Sequence, residues 1–508
     1  MLTTILSAAH SGLETIAIEV EVNVFTKGFP GITIIGLPNK AIEEAKERVK
    51  TAITNSGFEF PQSKIIINLA PADIPKEGSC YDLPIAVGIL HAMGVVQLPK
   101  EKSFFYGELS LDGSLRHTKG VLLLALSAKQ HSVKELYVPL PSSQEGAVVS
   151  NVSVFPVASL HELVLHLNGS KKIAKALIKP GNTESERLVA EFDFNEIIGQ
   201  NHAKRALTIA AAGGHNLFMQ GPPGSGKTML ARAVAGILPP LSPEESLEVT
   251  KIYSVTGNIP PGGSLIWARP FRISHHTTSR IGLIGGGSKP HPGEISLAHC
   301  GVLFLDEFPE FARSTLESLR QPMEDGEVTV TRAAGTLKFP ADFMLIAAAN
   351  PCPCGYLGDP KRECTCSPRM IMKYQSKLSG PLMDRIDLHV SVPVVEADKL
   401  IEHKDVETVS SAKIRERIIK AREVQYKRLS KSGIYMNGSM KNKHISDFVQ
   451  LTTKASQLLK QAVNAYNLST RTYFRLIKVS QTIADLEAAD AVTETHVAEA
   501  LQYRVRVE

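Results

Sequence analysis

The run Asn216-Leu-Phe-Met-Gln-Gly-Pro-Pro-Gly-Ser-Gly-Lys-Thr228 decides the fold. Asn216–Gln220 is a short apolar stretch that reads as a strand. Gly221-Pro222-Pro223-Gly224-Ser225-Gly226-Lys227-Thr228 is a glycine-rich loop, and Met229–Ile237 has the composition of a helix. Strand, loop, then helix is the context a phosphate-binding loop requires. The glycines let backbone N–H groups curl around phosphates at a positively polarised helix N-terminus. Lys227 is expected to reach the β- and γ-phosphates of ATP, and the Thr228 hydroxyl to bind Mg²⁺.

Downstream, Gly301–Glu307 (GVLFLDE) is a buried-type strand ending in two carboxylates. Asp306 is placed to hold the Mg²⁺ shell and Glu307 to polarise an attacking water. A third apolar run, Phe343–Ala349, ends at Asn350, whose amide can orient water without adding charge. Taken alone, Asn350 would be a turn residue before Pro351; its place after the Asp-Glu strand raises it above that.

Around this centre the chain divides. To about residue 168, strand-like runs (Ile16–Phe25, Lys64–Leu69) alternate with helical ones (Ala41–Ile53), and Asp112-Gly113 signals a hairpin between Glu108–Leu111 and Ser114–His117. Residues 169–193 read as a linker, 194–395 as an α/β nucleotide-binding domain and 396–508 as helical, with Ile414, Ile418, Ile419, Leu458, Leu459 and Val463 at helical spacing. A chain of 508 residues is too long for one core. Its 43% hydrophobic and 21% charged residues are those of an ordinary globular protein, and a net charge of +5 argues neither for nor against nucleic acid. Glu14, Glu19 and Glu21 interrupt any secretory signal, and the longest apolar run, Val121–Leu126, is too short for a bilayer, so no membrane partner and a cytoplasmic location are expected.

Four of six cysteines, Cys352, Cys354, Cys364 and Cys366, crowd one window. Without an export signal such a cluster points to metal rather than disulfides. Four thiolates suit tetrahedral Zn²⁺ and leave no open position, so a structural staple is expected; four plain thiols remain the alternative. Gly326–Phe339 alternates Val328 and Val330 with threonines, turns near Ala333–Gly335 and returns, which is a hairpin with Arg332 near its tip. The stretch 274–294 (with His275, His276, Arg280, Gly285–Gly287, Lys289 and His291) is a glycine-rich insertion; adjacent histidines more often bond locally than bind metal.

These motifs resemble the AAA+ class, in the branch that holds magnesium chelatase motor subunits and the MCM helicases, and within it the ComM (YifB) family. The resemblance covers nearly the whole chain. Its most specific pieces are Gly36-Leu-Pro38, Asn68–Asp73, Pro75–Gly78, Pro292–His299, Asn350–Gly355 and Ser379–Asp387. It implies an α/β chain with an N-terminal Lon-protease-like α+β domain (1–168), an AAA+ P-loop core (194–395) carrying a zinc-binding loop (352–366), and a C-terminal helical lid (396–508). By the same resemblance Gly221–Thr228 is Walker A, Asp306-Glu307 is Walker B, Asn350 is sensor 1, Arg385 is an arginine finger and Arg471 is sensor 2. Read without the family, either arginine would be a surface cation. MCM helicases carry a hairpin like that of Arg332, whose basic tip grips the DNA backbone without reading sequence.

The implied function is that of an ATP-dependent, homo-hexameric DNA helicase or translocase. It would promote branch migration on single-stranded and branched DNA during homologous recombination and natural transformation, a competence role. Two other readings stay open: a magnesium chelatase-type remodelling motor, expected to lack this N-terminal domain and to work with a metal-inserting partner, and an ATP-dependent protease. The Lon pattern falls on Pro75–Tyr81 and puts Cys80 at the nucleophile, but Leu122 stands where the catalytic lysine belongs, with Lys119 nearby. The N-terminal domain is therefore expected to be proteolytically inactive.

Overall fold

The computed structural model describes residues 1–504 apart from 27, 75, 77, 178–190, 288–289, 333–334, 360–361, 378–379, 381 and 396–408, and apart from the Arg332 side chain. By contacts the chain forms two compact units, Met1–Asn182 with Pro243–Ile266, and Thr183–Ser242 with Trp267–Glu508.

The first unit is built on a seven-stranded mixed sheet. Across it the strands run Gly31–Ile35, Lys64–Ala70, Glu14–Val24, Leu2–Ser11, Ser103–Phe105, Glu135–Pro139 and Ser153–Val157. Leu2–Ser11 and Glu14–Val24 form an antiparallel hairpin from Leu2↔Asn23 to Ser11↔Glu14. The alternation read from sequence is real: Ile18, Val20 and Val22 are buried while Glu19 lies exposed between them. Helix Lys40–Asn55 is capped by the Asn39 side chain, which accepts from Ile42 N–H, and buries Ile42, Val49 and Ile53. The hairpin at Asp112-Gly113 forms, with Glu108–Leu109 paired to Leu115–Arg116 and Gly113 at φ +84°.

Helix Pro243–Thr256 lies in sequence inside the 194–395 stretch, yet it packs with the first unit. Ser254 Oγ donates to Glu145 Oε2 at 2.7 Å and Gly120 N–H donates to Ser254 O at 3.0 Å. Burial holds the Glu145 carboxyl up at about 7.

The second unit holds a five-stranded, wholly parallel sheet ordered Phe271–Ser274, Val302–Leu305, Met344–Ala349, Leu217–Gln220 and Leu388–Ser391. The strand read from Asn216–Gln220 thus sits between the strand that leads to Asn350 and the last one. Parallel strands buried on both faces need near-continuous apolar runs, and Val302–Leu305 and Met344–Ala349 supply them. Asn216 fixes the register: its side-chain oxygen accepts from Leu345 N–H at 2.8 Å and its carbonyl from Asp387 and Leu388 N–H at 3.0 Å.

Among the described residues, the α-helices Ser411–Leu429, Asn442–Phe448, Thr453–Tyr466, Thr470–Leu486 and Glu494–Gln502 follow and share one core with the sheet. Ile414, Ile418 and Leu459 are buried as their spacing predicts. The expected linker falls largely on 178–190, outside the described residues. Among the described residues no helix is long and apolar enough to cross a membrane.

A polar network threads the helical part. Asp485, 1% exposed, takes a bidentate pair from Arg428 at 2.7 and 2.9 Å and further bonds from Asn437 and Gln481. Asp485→Ala strands the Arg428 cation and is expected to lower the stability of this unit by about 3 kcal/mol or more. The urea midpoint of its helical signal should fall, while Glu494→Ala, whose pair with Lys454 is exposed, leaves it unchanged.

Candidate active site

The loop after Gln220 turns on two left-handed glycines, Gly224 at φ +75° and Gly226 at φ +88°, and the helix Lys227–Ile237 starts directly after Gly226. At Gly221 a Cβ would lie 2.1 Å from Val392 O, so any larger residue would push the loop off the neighbouring strand. Lys227 Nζ donates to Gly221 O at 2.7 Å, Pro222 O at 2.9 Å and Asn350 Oδ1 at 3.2 Å. Burial holds this ammonium below its ordinary range, with Asp306 opposing the shift. Thr228 Oγ1 donates to Asp306 Oδ2 at 2.8 Å. Lys227, Thr228, Asp306 and Asn350, spread over more than a hundred residues of sequence, are therefore one connected cluster at the C-terminal ends of three adjacent strands.

Glu307 follows in the left-handed region at φ +52°, a conformation that costs a non-glycine residue about 1–3 kcal/mol. Its Oε2 lies 2.8 Å from His276 Nδ1. His275 behaves as expected and bonds locally, to Thr277 Oγ1 at 3.0 Å; His276 instead reaches Glu307. The insertion itself forms helix Arg280–Ile284 and a two-residue ladder, Gly285–Gly286 with His291–Pro292; Lys289 lies outside the described residues.

Beyond Asn350, the chain folds back under the phosphate loop. The four sulfurs of Cys352, Cys354, Cys364 and Cys366 lie within 4.8 Å of one another, with Cys352–Cys354 at 3.3 Å and Cys364 3.6 Å from both. Tetrahedral zinc with bonds of about 2.3 Å places its sulfurs about 3.8 Å apart, so the donor set and spacing fit. Gly355, at φ +87°, packs so closely that a Cβ would lie 2.5 Å from Pro223 Cδ. The cysteine loop therefore braces both Asn350 and the phosphate loop.

Arg385 and Arg471 meet on one carboxylate. Arg385 Nη2 is 2.5 Å and Arg471 Nη2 3.2 Å from Glu324 Oε1. Glu324 sits in helix Arg320–Asp325, which leads through Gly326 into the hairpin Glu327–Arg332 and Gly335–Pro340. The hairpin pairs in register from Glu327↔Pro340 to Arg332↔Gly335. Arg332 thus ends its first strand, with its side chain and residues 333–334, on which the expected turn falls, outside the described residues. Arg475 stands beside the arginine pair, donating to Ile386 O at 2.8 Å; burial above all, and then the nearby Arg471 and Arg385 charges, hold it below the ordinary guanidinium range. Sequence reasoning missed Glu324, Arg475 and the His276 contact, because each pairing joins segments remote in the chain.

In the first unit Cys80 is buried, hydrogen-bonded to Tyr106 and pushed up to about 12 by burial. Lys119 is exposed and Leu122 is fully buried.

A parallel sheet with a Gly-Lys-Thr loop after the first of its strands in chain order, Asn350 beyond the adjacent strand and Asp306 beyond the next one, defines a P-loop domain of the AAA+ class. Family models described as magnesium chelatase, subunit ChlI, match residues 193–400; as subunit ChlI of Mg-chelatase, 20–142; and as magnesium chelatase, subunit ChlI C-terminal, 408–504. The chain is 43% identical to the competence protein ComM of Haemophilus influenzae over 100% of this chain and 98% of that protein. It is 41% identical to YifB of Salmonella typhimurium (98% and 96% covered) and 40% to YifB of Escherichia coli (99% and 97%). The chain belongs to the ComM/YifB family, with a magnesium chelatase-like fold. Because a chelatase-subunit model also matches 20–142, the N-terminal region does not separate the helicase from the chelatase reading as expected from sequence.

With its pKa near 12, Cys80 holds so little thiolate at pH 8 that alkylation should run about a thousandfold slower than at an ordinary cysteine. Mass spectrometry after iodoacetamide should therefore find Cys80 unmodified, and a rapidly labelled Cys80 would show that this burial is wrong.

Proposed function

We propose that this protein is an ATP-driven, homo-hexameric DNA translocase that migrates branches during homologous recombination and natural transformation. The observation that carries the ATPase half is the cluster of Lys227, Thr228, Asp306 and Asn350, drawn together by hydrogen bonds at the ends of neighbouring strands. The Glu327–Pro340 hairpin favours DNA as the track, since it lies between Walker B and Asn350 in the chain and bears Arg332 at its turn. The ComM name of a full-length relative gives the competence setting.

In this reading Lys227 exchanges the Gly221 and Pro222 carbonyls for β- and γ-phosphate oxygens. Glu307 accepts a proton from the attacking water and His276 positions its carboxylate. Asn350 orients the water against the γ-phosphate, and Arg385, with Arg471, neutralises charge developing on the γ-phosphate of a neighbouring subunit. Mg²⁺, held by Thr228 Oγ1 and Asp306, would screen the phosphate charge. Arg332 pairs with backbone phosphate, giving grip without sequence preference. Zn²⁺ on Cys352, Cys354, Cys364 and Cys366 would be structural, fixing the brace under Pro223.

The N-terminal unit is read as Lon-protease-like in shape without the protease: a buried Cys80 beside Tyr106, and no lysine at Leu122, leave it no activated nucleophile. A role in guiding DNA suits it better. The magnesium chelatase-type motor is the second reading, favoured by the family models; it would need a metal-inserting partner and no DNA.

A labelled three-way DNA junction tests the first reading. Purified protein with ATP should move the branch. Lys227→Ala should lose turnover by about 100-fold or more, and Arg332→Ala should hydrolyse ATP without moving DNA. Hydrolysis by wild type with no branch movement on any junction would sink the translocase reading and leave the chelatase-type motor standing.

Metal analysis tests the brace separately. About one zinc per chain is expected, lost in Cys364→Ser together with a weakened grip on a fluorescent nucleotide. Metal-free wild type with full nucleotide affinity would show four plain thiols.

A further inference from the structure

Glu324 occupies an unusual position. Its Oε1 is shared by two guanidiniums, Arg385 at 2.5 Å and Arg471 at 3.2 Å, that come from segments 86 residues apart. A carboxylate oxygen held between two arginines has the charge and the acceptor chemistry of a phosphoryl oxygen. The Arg471 half of the pairing is easy to exchange, because Glu324 and Arg471 are each about half exposed (47% and 52%) and water screens them, while Arg385, at 15%, is the more enclosed partner.

The segment bearing Glu324 is mechanically tied to the hairpin. Arg320–Asp325 ends at Gly326 (φ +68°), and Gly326 O accepts from Ala341 N–H at 2.8 Å, closing the base of the hairpin. Lys338 on the return strand bonds Glu327 on the first at 2.7 Å. The helix end and the hairpin are one hydrogen-bonded piece, so a displacement of Glu324 is carried along the ladder as far as Arg332 and Gly335.

Resting on the ATPase reading above, we propose that Glu324 is a phosphate placeholder that couples nucleotide state to the hairpin. Without a γ-phosphate before them, Arg385 and Arg471 hold Glu324, and with it the hairpin base. When a neighbouring subunit presents ATP, its γ-phosphate takes over the two guanidiniums, Glu324 is released, and the hairpin is free to shift. Hydrolysis and phosphate loss restore the original pairing. Glu324 is a positioning residue here; it touches no reacting atom.

The test compares full-length wild type, Glu324→Gln and Glu317→Gln. Glu317 pairs with Arg320 at 2.6 Å and with Arg313 at 3.8 Å just upstream, and serves as control. Hydrogen exchange over 327–340 is measured with ADP and with a non-hydrolysable ATP analogue, alongside steady-state ATP hydrolysis with and without single-stranded DNA.

Wild type and Glu317→Gln should exchange faster over 327–340 with the analogue than with ADP. Glu324→Gln should exchange at one rate with both, lose its stimulation by DNA, and show an apparent KM for ATP lower by about two- to fivefold, as removal of a half-exposed competing carboxylate allows. Glu324→Asp should restore the nucleotide response in part.

A Glu324→Gln protein that still distinguishes the two nucleotides over 327–340 overturns the proposal, and so does a Glu317→Gln protein that loses the response equally. Should Glu324→Gln not fold, wild type decides alone, since equal exchange with ADP and analogue overturns the coupling. Absence of any ATP hydrolysis by wild type would bring down the ATPase reading itself, an outcome distinct from these.

Discussion

A buried ammonium is the constraint around which the ATPase unit is organised. Lys227 is only 8% exposed, and a cation so placed needs acceptors on every side. Two of them are carbonyls of its own loop, Gly221 and Pro222, which face inward only because Gly224 and Gly226 take left-handed backbone angles. The third, Asn350 Oδ1, comes from the adjacent strand. Parallel pairing of Leu217–Gln220 with Met344–Ala349 sets that distance, since the strands end level, Gln220 opposite Ala349. The sheet register and the shape of the loop are thus two sides of one requirement.

A second polar device ties the helices to this sheet. His215 bonds Thr482 Oγ1 at 2.8 Å through one ring nitrogen and lies 3.3 Å from Asp387 Oδ2 through the other. Burial alone would raise the Asp387 carboxyl, but the His215 hydrogen bond and the Arg475 and Lys478 charges outweigh it and hold the group below its ordinary value. Asp387 stands two residues after Arg385, and Thr482 lies on the helix that begins with Thr470 and Arg471. The two arginines that meet on Glu324 are therefore positioned from opposite ends of the same buried network. A polar core of this kind, in which each member depends on the others, favours one docking of helix against sheet over many.

What the sequence disclosed follows the range of the interactions. Gly221–Thr228 was legible because strand, turn and helix are contiguous and each has a local physical signature. Asp306 and Asn350 were legible as polar residues ending apolar strands, and the four cysteines as a cluster within fifteen residues of chain. The hairpin was legible from Val-Thr alternation, although its tip lies outside the described residues. Glu324 was not, because nothing in Pro-Met-Glu-Asp distinguishes it from a solvated helix carboxylate until residues 385 and 471 fold onto it. His276 was read as locally bonded for the same reason, its partner being 31 residues away. The placement of Pro243–Thr256 with the first unit depends on Glu145, more than a hundred residues upstream, and no periodicity announces it.

On the proposed reading, the two cationic groups of the nucleotide site are held in the same chemical way, by oxygens that would give way to phosphate oxygens, but with different consequences. The oxygens on Lys227 are mostly backbone carbonyls of the loop that would itself cradle the phosphates. Exchanging them moves nothing outside the site; it lets the loop stay formed and ready, which is preorganisation. The oxygen on Arg385 and Arg471 belongs to a side chain on a different segment, one continuous with the hairpin. Exchange there must displace something, and what it displaces lies at the base of the element bearing Arg332. On that reading Lys227 is suited to binding and the arginine pair to work, and the proposed ring, in which one subunit's arginines address the next subunit's phosphate, would use both.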